Sequence, residues 1–462
     1  MHKVNKNIIR ASVFIMILFL VLVVAFLINL FTMSNRLLNS PYNKRLNVLR
    51  ESTIIGSIYD TNNVLLAGTT EDGKRAYSEN EIMRSAVSHL IGDTYGYCPT
   101  GADIQFASIL LDYNESLISK IKRQINGTPH SGDDIQLTVD CRLNIFAYDK
   151  IKGYKGAVVV QDYTTGEILC MVSSPAFDPE TIIQDLEINT ENEAFVNRAI
   201  QGQYAPGSLF HIITAGAAIE NIDGILSRKF SCESFIKIDD EKITCDDAHG
   251  YITIKQAYAQ SCDVIFAQLG VDLGAENLTK FAEQLKFNHN FNYSDILLYP
   301  SSINVSKNEE DAAFAYAAIG QHEDIVTPLH MSMIAGAIAN DGIMMTPSLL
   351  KAVDGQIISN GGHGTRIIAE DTNMILQSFM QGSMSAQSTD GNTDKFEVCC
   401  TDGVSVSSKD GSLYNNSWFL GYINNTEHPL VICMILEQSY IDSNPTPEIA
   451  RDILEYAYSL GY

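Results

Sequence analysis

The chain has 462 residues, 45% apolar and 19% charged, enough apolar surface for a sizeable core and too much for wholesale disorder. With 31 Lys and Arg against 55 Asp and Glu, the net charge is −24, which argues against nucleic acid as a partner and against adhesion to anionic lipid or wall polymer. The length suggests two or three domains.

No charge falls between Ala11 and Asn35, and Ala11 to Ile28 is almost purely apolar. A helix rises about 1.5 Å per residue, so this run is long enough to cross a hydrocarbon core of about 30 Å. A cleaved signal peptide fits less well, because the apolar run exceeds the usual 7–15 residues or so and no small-x-small cleavage site follows. Lys3, Lys6 and Arg10 precede the run and Arg36, Lys44, Arg45 and Arg50 follow it, so flanking charge does not set the orientation. A short tail, one span and a large following domain fit a signal anchor, with the tail in the cytoplasm and the rest outside.

Three sections are expected: residues 1–35 as tail and anchor, 36–133 as a small membrane-proximal domain, and 134–462 as a large domain. In the second, Ile54 to Asp60 reads as a strand, Thr61-Asn62-Asn63 as a turn, and Val64 to Ala67 as the returning strand. The turn-rich stretch Gly127 to Asp134 marks the boundary. In the third, Gly156 to Asp162 is a buried-strand pattern, Tyr163 to Glu167 a hairpin turn, and Ile168 to Ser173 the returning strand. Helices are expected over Leu209 to Ile222, Ile254 to Leu269, Leu329 to Ala339 and Pro447 to Leu460, and strands over Ser417 to Tyr422 and Pro429 to Leu436. Strands at both ends of a domain with helices between predict an α+β fold, one sheet covered by helices.

The nine cysteines are Cys98, Cys141, Cys170, Cys232, Cys245, Cys262, Cys399, Cys400 and Cys433. The count is odd, so at least one is unpaired within the monomer. Cys170 and Cys433 lie in strand-like apolar runs and read as small core residues. Cys232 and Cys245 flank a short loop and are the candidate disulfide if the compartment is oxidising. None shows C-x-x-C or Cys/His zinc spacing, and no metal or organic cofactor is implied. His249, His322 and His330 read as structural or solvated, Trp418 and Tyr422 as core, and Glu309-Glu310-Asp311 as a solvated face.

The large section resembles the transpeptidase domain of class B penicillin-binding proteins. The resemblance is carried, in order, by Gly156 to Asp162 with Gly166 to Leu169 and Ser173 to Pro179, by Asn197 to Ser208, by His249-Gly250 with Ser261 to Ala267, by Ile319-Gly320-Gln321 with Val326 to Leu329, and by Trp418 to Tyr422. Tyr42-Asn43, Arg45 and Ile58 to Asp60 carry a weaker likeness to that family's membrane-proximal pedestal. The resemblance implies a penicillin-binding-protein/β-lactamase-like domain, an antiparallel sheet flanked by helices, on a pedestal and one transmembrane helix. It also implies work in peptidoglycan synthesis at the cell membrane, with a multi-pass glycan polymerase as partner.

The family's site rests on S-x-x-K, S-x-N and K-T-G motifs. All three depart here. The first reads Ser208-Leu209-Phe210-His211, keeping the nucleophile position and replacing lysine by histidine. Positions i and i+3 share a helix face, and serine is inert without a neighbouring base. The second reads Ser261-Cys262-Asp263, with aspartate for asparagine; the resemblance makes His211 and Asp263 neighbours, so Ser208, His211 and Asp263 are a candidate nucleophile–base–orienter set. The third aligns as Thr401-Asp402-Gly403 at the strand that docks substrate in the family, with no cation for the substrate carboxylate. Asp402, if it faces the cleft, repels that carboxylate by about 4 kcal/mol at about 4 Å and an effective dielectric of about 20. Stem peptide and β-lactam are therefore expected to bind weakly or not at all. The first reading is a degenerate transpeptidase acting as scaffold or regulator. The alternative is an active serine D,D-transpeptidase that forms an acyl-enzyme through Ser208.

Overall fold

The computed structural model describes residues 10–26, 48–50, 53–113, 115, 117–291, 293, 295–358, 362–382, 396–409, 412–437 and 444–462. Residues 10–26 are helical and exposed along their length. No helix among the described residues is long and apolar enough to cross a membrane. The expected span extends two residues past the described ones, and Ile28, Tyr42-Asn43 and Arg45 lie outside the described residues.

Five antiparallel strands form the large sheet, in the order Val398–Lys409, Ser412–Ile423, Leu430–Glu437, Lys155–Asp162 and Ile168–Ser174. Each of the predicted strands of the large section falls here. Lys155–Asp162 and Ile168–Ser174 are buried on both faces, which is why they read as continuous apolar runs rather than alternations. One face packs on the helix Pro328–Ala339, and behind it on His211–Asn221 and Asp263–Gln284. The other face packs on Cys141–Ile151 and Thr446–Ser459. The fold is α+β. Trp418 and Tyr422 are buried in the core, as expected; the Trp418 indole donates to Ala205 O and Ser405 Oγ, each at 3.2 Å.

A second sheet joins short strands in the order Gln356–Ile357, Leu350–Val353, Ile135–Leu137, Ile58–Tyr59, Leu65–Thr69 and Arg75–Tyr77. It draws on residues from both sides of the Gly127 to Asp134 stretch. The predicted Ile54 to Asp60 strand is two strands, Thr53–Ile54 and Ile58–Tyr59. Between them Gly56 presses on the backbone of Asp133, where a Cβ would lie 2.0 Å from the carbonyl oxygen. The turn after it forms as expected: the Asp60 carboxylate accepts from the Asn62 and Val64 N–H groups at 2.8 Å, and Asn63 takes a positive φ of 61°.

The predicted helix Ile254 to Leu269 is two helices, Ile254–Ala259 and Asp263–Gln284. Ser261 separates them in the left-handed region at φ 48°. The Ser261 and Cys262 N–H groups close the first helix on Tyr258 O and Ala257 O. Apolar periodicity runs through this break because both helices bury their faces in the same core. The second motif thus sits on a sharp corner, and a non-glycine residue held there costs on the order of 1 kcal/mol.

Candidate active site

The nucleophile position opens a short 3₁₀ turn, Gly207–Phe210, that runs straight into the helix His211–Asn221. Three glycines let the surrounding backbones close on this turn. Gly207 has φ 56°, and a Cβ there would lie 2.5 Å from Val404 O on the sheet edge. Gly320, at φ 65°, would put a Cβ 2.6 Å from Gly207 O, and its own carbonyl accepts from the Gly207 N–H at 3.0 Å. A Cβ on Gly403 would lie 2.9 Å from Ser208 Cβ and 3.4 Å from its Oγ. The first and third motifs therefore touch.

Ser208 is half-buried, and its hydroxyl makes no hydrogen bond to any described residue. His211 is 1% exposed, and its ring lies flat on Phe266, with centroids 4.1 Å apart and planes 6° from parallel. Its Nε2 is 3.2 Å from Asp263 Oδ1. The alignment is too poor for a hydrogen bond, so the contact is an ion pair when the imidazole is protonated. Asp263 and Phe266 stand one turn apart on one helix, so both reach the same imidazole. The structure brings His211 and Asp263 together and forms no Ser208–His211 hydrogen bond.

Thr401 is buried on the face of its strand that carries Gly403 and Cys399, toward the nucleophile turn. Asp402 alternates to the opposite face with Cys400, and Asn444 Nδ2 donates to its Oδ2 at 3.3 Å. The negative charge that Asp402 could bring to the cleft is thus directed away from it. Asn444 and Phe266 are the partners that sequence reasoning missed. Phe266 was findable as the i+3 neighbour of Asp263, whereas Asn444 is distant in sequence and carries no local signal.

Directly behind Ser261 a second cluster assembles. The donor atoms of Cys232, Cys245, His249 and Cys262 all lie within 4.8 Å of one another. Cys232 ends the strand Lys229–Cys232, Cys262 caps the helix Asp263–Gln284, and Cys245 and His249 lie on the loop between the strands Glu241–Thr244 and Gly250–Thr253. Local spacing gave no sign of this set, because its members are spread over 31 residues and three structural segments. His249, read as structural or solvated, has its Nδ1 3.6 Å from Cys245 Sγ. No disulfide joins Cys232 to Cys245 or any other pair of cysteines among the described residues.

Residues 156–455 match the family described as penicillin binding protein transpeptidase domain. Among curated relatives, the peptidoglycan D,D-transpeptidase PbpA of Mycolicibacterium smegmatis is 25% identical over 76% of each chain. The protein of the same name from Mycobacterium tuberculosis is 24% identical over 94% of each chain. Among solved structures, penicillin-binding protein A of M. tuberculosis, an imipenem acyl-enzyme complex, superposes with TM-score 0.77 at 22% identity, covering 88% of this chain and 99% of its own. The D,D-transpeptidase domain of a peptidoglycan glycosyltransferase from Eggerthella lenta gives 0.74 at 25% identity, with 88% and 99% coverage.

Proposed function

Because the chain belongs to the penicillin-binding protein transpeptidase family, we propose that it serves peptidoglycan assembly as a membrane-anchored, transpeptidase-like scaffold or regulator whose own acyl transfer is lost. One observation carries this reading. The residue in the base position, His211, is sealed from solvent between Phe266 and Asp263, while the Ser208 hydroxyl has no proton acceptor among the described residues. A serine in that condition is a poor nucleophile. Thr401 adds no cation for a substrate carboxylate, so stem peptides and β-lactams bind weakly. The apolar run from Ala11 supplies the anchor, and through it and the membrane-proximal sheet the chain contacts a multi-pass glycan polymerase.

Labelling the full chain with a fluorescent penicillin tests the proposal. No Ser208-dependent signal is expected at high probe concentration. Stoichiometric labelling that Ser208→Ala abolishes would overturn it. Co-purification of the polymerase with the intact chain, lost when residues 11–28 are exchanged for an unrelated span, tests the partner.

The His211–Asp263 approach at 3.2 Å favours a second reading, in which the carboxylate supports an imidazolium formed as Ser208 attacks. Covalent capture by a neutral fluorophosphonate probe, lost in both Ser208→Ala and His211→Ala, would select it.

A further inference from the structure

We propose that Cys232, Cys245, His249 and Cys262 bind one zinc ion that ties the hairpin before the second motif to the corner on which Ser261 and Asp263 sit. The geometry carries this. A tetrahedral zinc with Zn–S of about 2.3 Å and Zn–N of about 2.0–2.1 Å sets donors about 3.8 Å apart between sulfurs and about 3.6 Å apart between sulfur and nitrogen. Here no donor pair exceeds 4.8 Å, and Cys245 Sγ to His249 Nδ1 is 3.6 Å. Small rotations of the side chains close the remainder.

The donor set itself selects the metal. Three thiols and one imidazole match a soft-to-borderline ion that accepts tetrahedral geometry, and four protein ligands leave no position open for water. That is the form of a structural site. Cys232 and Cys262 are fully buried, and Cys245 and His249 are partly so. On binding, each thiol releases its proton to solvent as its sulfur bonds the metal, and the neutral imidazole donates through nitrogen. Three thiolates and Zn²⁺ leave one net negative charge.

A disulfide accounts for less of the arrangement. It would join two of the three sulfurs and leave the third thiol and the imidazole without a purpose at the same point. The chain between the ligands supports a clip as well. The strands Phe235–Ile238 and Glu241–Thr244 form a small hairpin, largely exposed, between Cys232 and Cys245. Lys229–Cys232 pairs with Gly250–Thr253, and Gly250 opposite Cys232 takes φ 67°. Each of these four short strands buries only one or two residues, so a cross-link would add to what holds the helix that follows. Because Cys262 stands between Ser261 and Asp263, the ion would fix the left-handed corner and the carboxylate that meets His211. The zinc site is independent of whether Ser208 reacts.

The test uses the full chain, purified in detergent under reducing conditions without chelator. Elemental analysis is expected to find about one zinc per chain. Cobalt added to the metal-stripped protein is expected to give the visible bands and thiolate charge-transfer absorption of a tetrahedral sulfur-ligated ion. Cys232→Ser and His249→Ala are expected to lower zinc retention against a chelator by more than about tenfold, with Cys98→Ser as a control that keeps it. Chelation of the wild-type chain is expected to lower its melting temperature. Zinc at buffer level together with no cobalt spectrum in the reduced chain would overturn the proposal. So would a Cys232–Cys245 or Cys245–Cys262 disulfide found by intact-mass and peptide mapping in metal-free native protein. If the variants fail to fold, the cobalt titration of the wild-type chain still decides.

Discussion

The contact between the sheet edge and the nucleophile turn differs sharply from the proton-handling positions a few ångströms away. At the contact, Gly207, Gly320 and Gly403 stand where any side chain would strike backbone or the Ser208 side chain at 2.5, 2.6 and 2.9 Å. At the positions that the family resemblance assigns to the chemistry, His211, Asp263 and Thr401 stand for the motif lysine, asparagine and lysine. Packing that closes a backbone contact must be kept for the domain to fold at all. A base that only moves a proton contributes nothing to folding, and its replacement can be absorbed by local stacking. The comparison teaches that the contacts that build the nucleophile turn and the groups placed to move a proton beside it rest on different atoms.

Four substitutions break or sharpen that contrast. Gly207→Val is expected to have the largest effect, since φ 56° and the Val404 carbonyl both exclude a branched side chain. A loss above about 4 kcal/mol is expected in chemical denaturation. Survival of cooperative unfolding near wild-type would show the turn free to move.

Asp324→Asn probes a buried charge in the framework away from the cleft. Burial raises the Asp324 carboxyl to about 8, against a smaller lowering by the Asn304 backbone. A raised carboxyl binds its proton more tightly when folded, so its contribution is complete at acid pH and lost as pH rises from about 4 through 8. The amide keeps the shape without titrating. The variant's stability relative to wild-type should rise by about 3 kcal/mol between pH 6 and pH 9, read from paired denaturation curves. An unchanged difference across that window contradicts the assignment.

His211→Ala should cost about 2 kcal/mol by removing the ring stacked on Phe266. In a double-mutant cycle with Phe266→Ala, a coupling of about 1 kcal/mol is expected. Zero coupling would mean the imidazole is free to serve Ser208. Asp402→Ala should have the smallest effect, below about 1 kcal/mol, because it loses only the half-buried contact from Asn444 at 3.3 Å. It should leave penicillin labelling unchanged. A gain of labelling would show that the carboxylate does reach the cleft.

Reading the sequence failed where neighbours in space are far apart along the chain. Ile254 to Leu269 kept its apolar rhythm across Ser261, so nothing local announced the corner. Asp402 alternates to the face away from the cleft because its register is set by Phe419 opposite, and the partner that holds it there, Asn444, is 42 residues on. The sulfur–imidazole cluster is invisible to local spacing for the same reason.

The sequence alone determined the α+β class, the strands over Gly156 to Asp162, Ile168 to Ser173 and Pro429 to Leu436 to within a residue, the turn at Asn63, and the residue identities at the three motif positions. These follow from side-chain period, turn chemistry and residue type, which act over a few bonds. Only the tertiary structure decided that His211 lies on Phe266 rather than against Ser208, that Asp402 turns from the cleft, and that three cysteines and a histidine meet. Those depend on which helix faces and strand registers pack together, and that is settled by burial of the whole core rather than by any one segment.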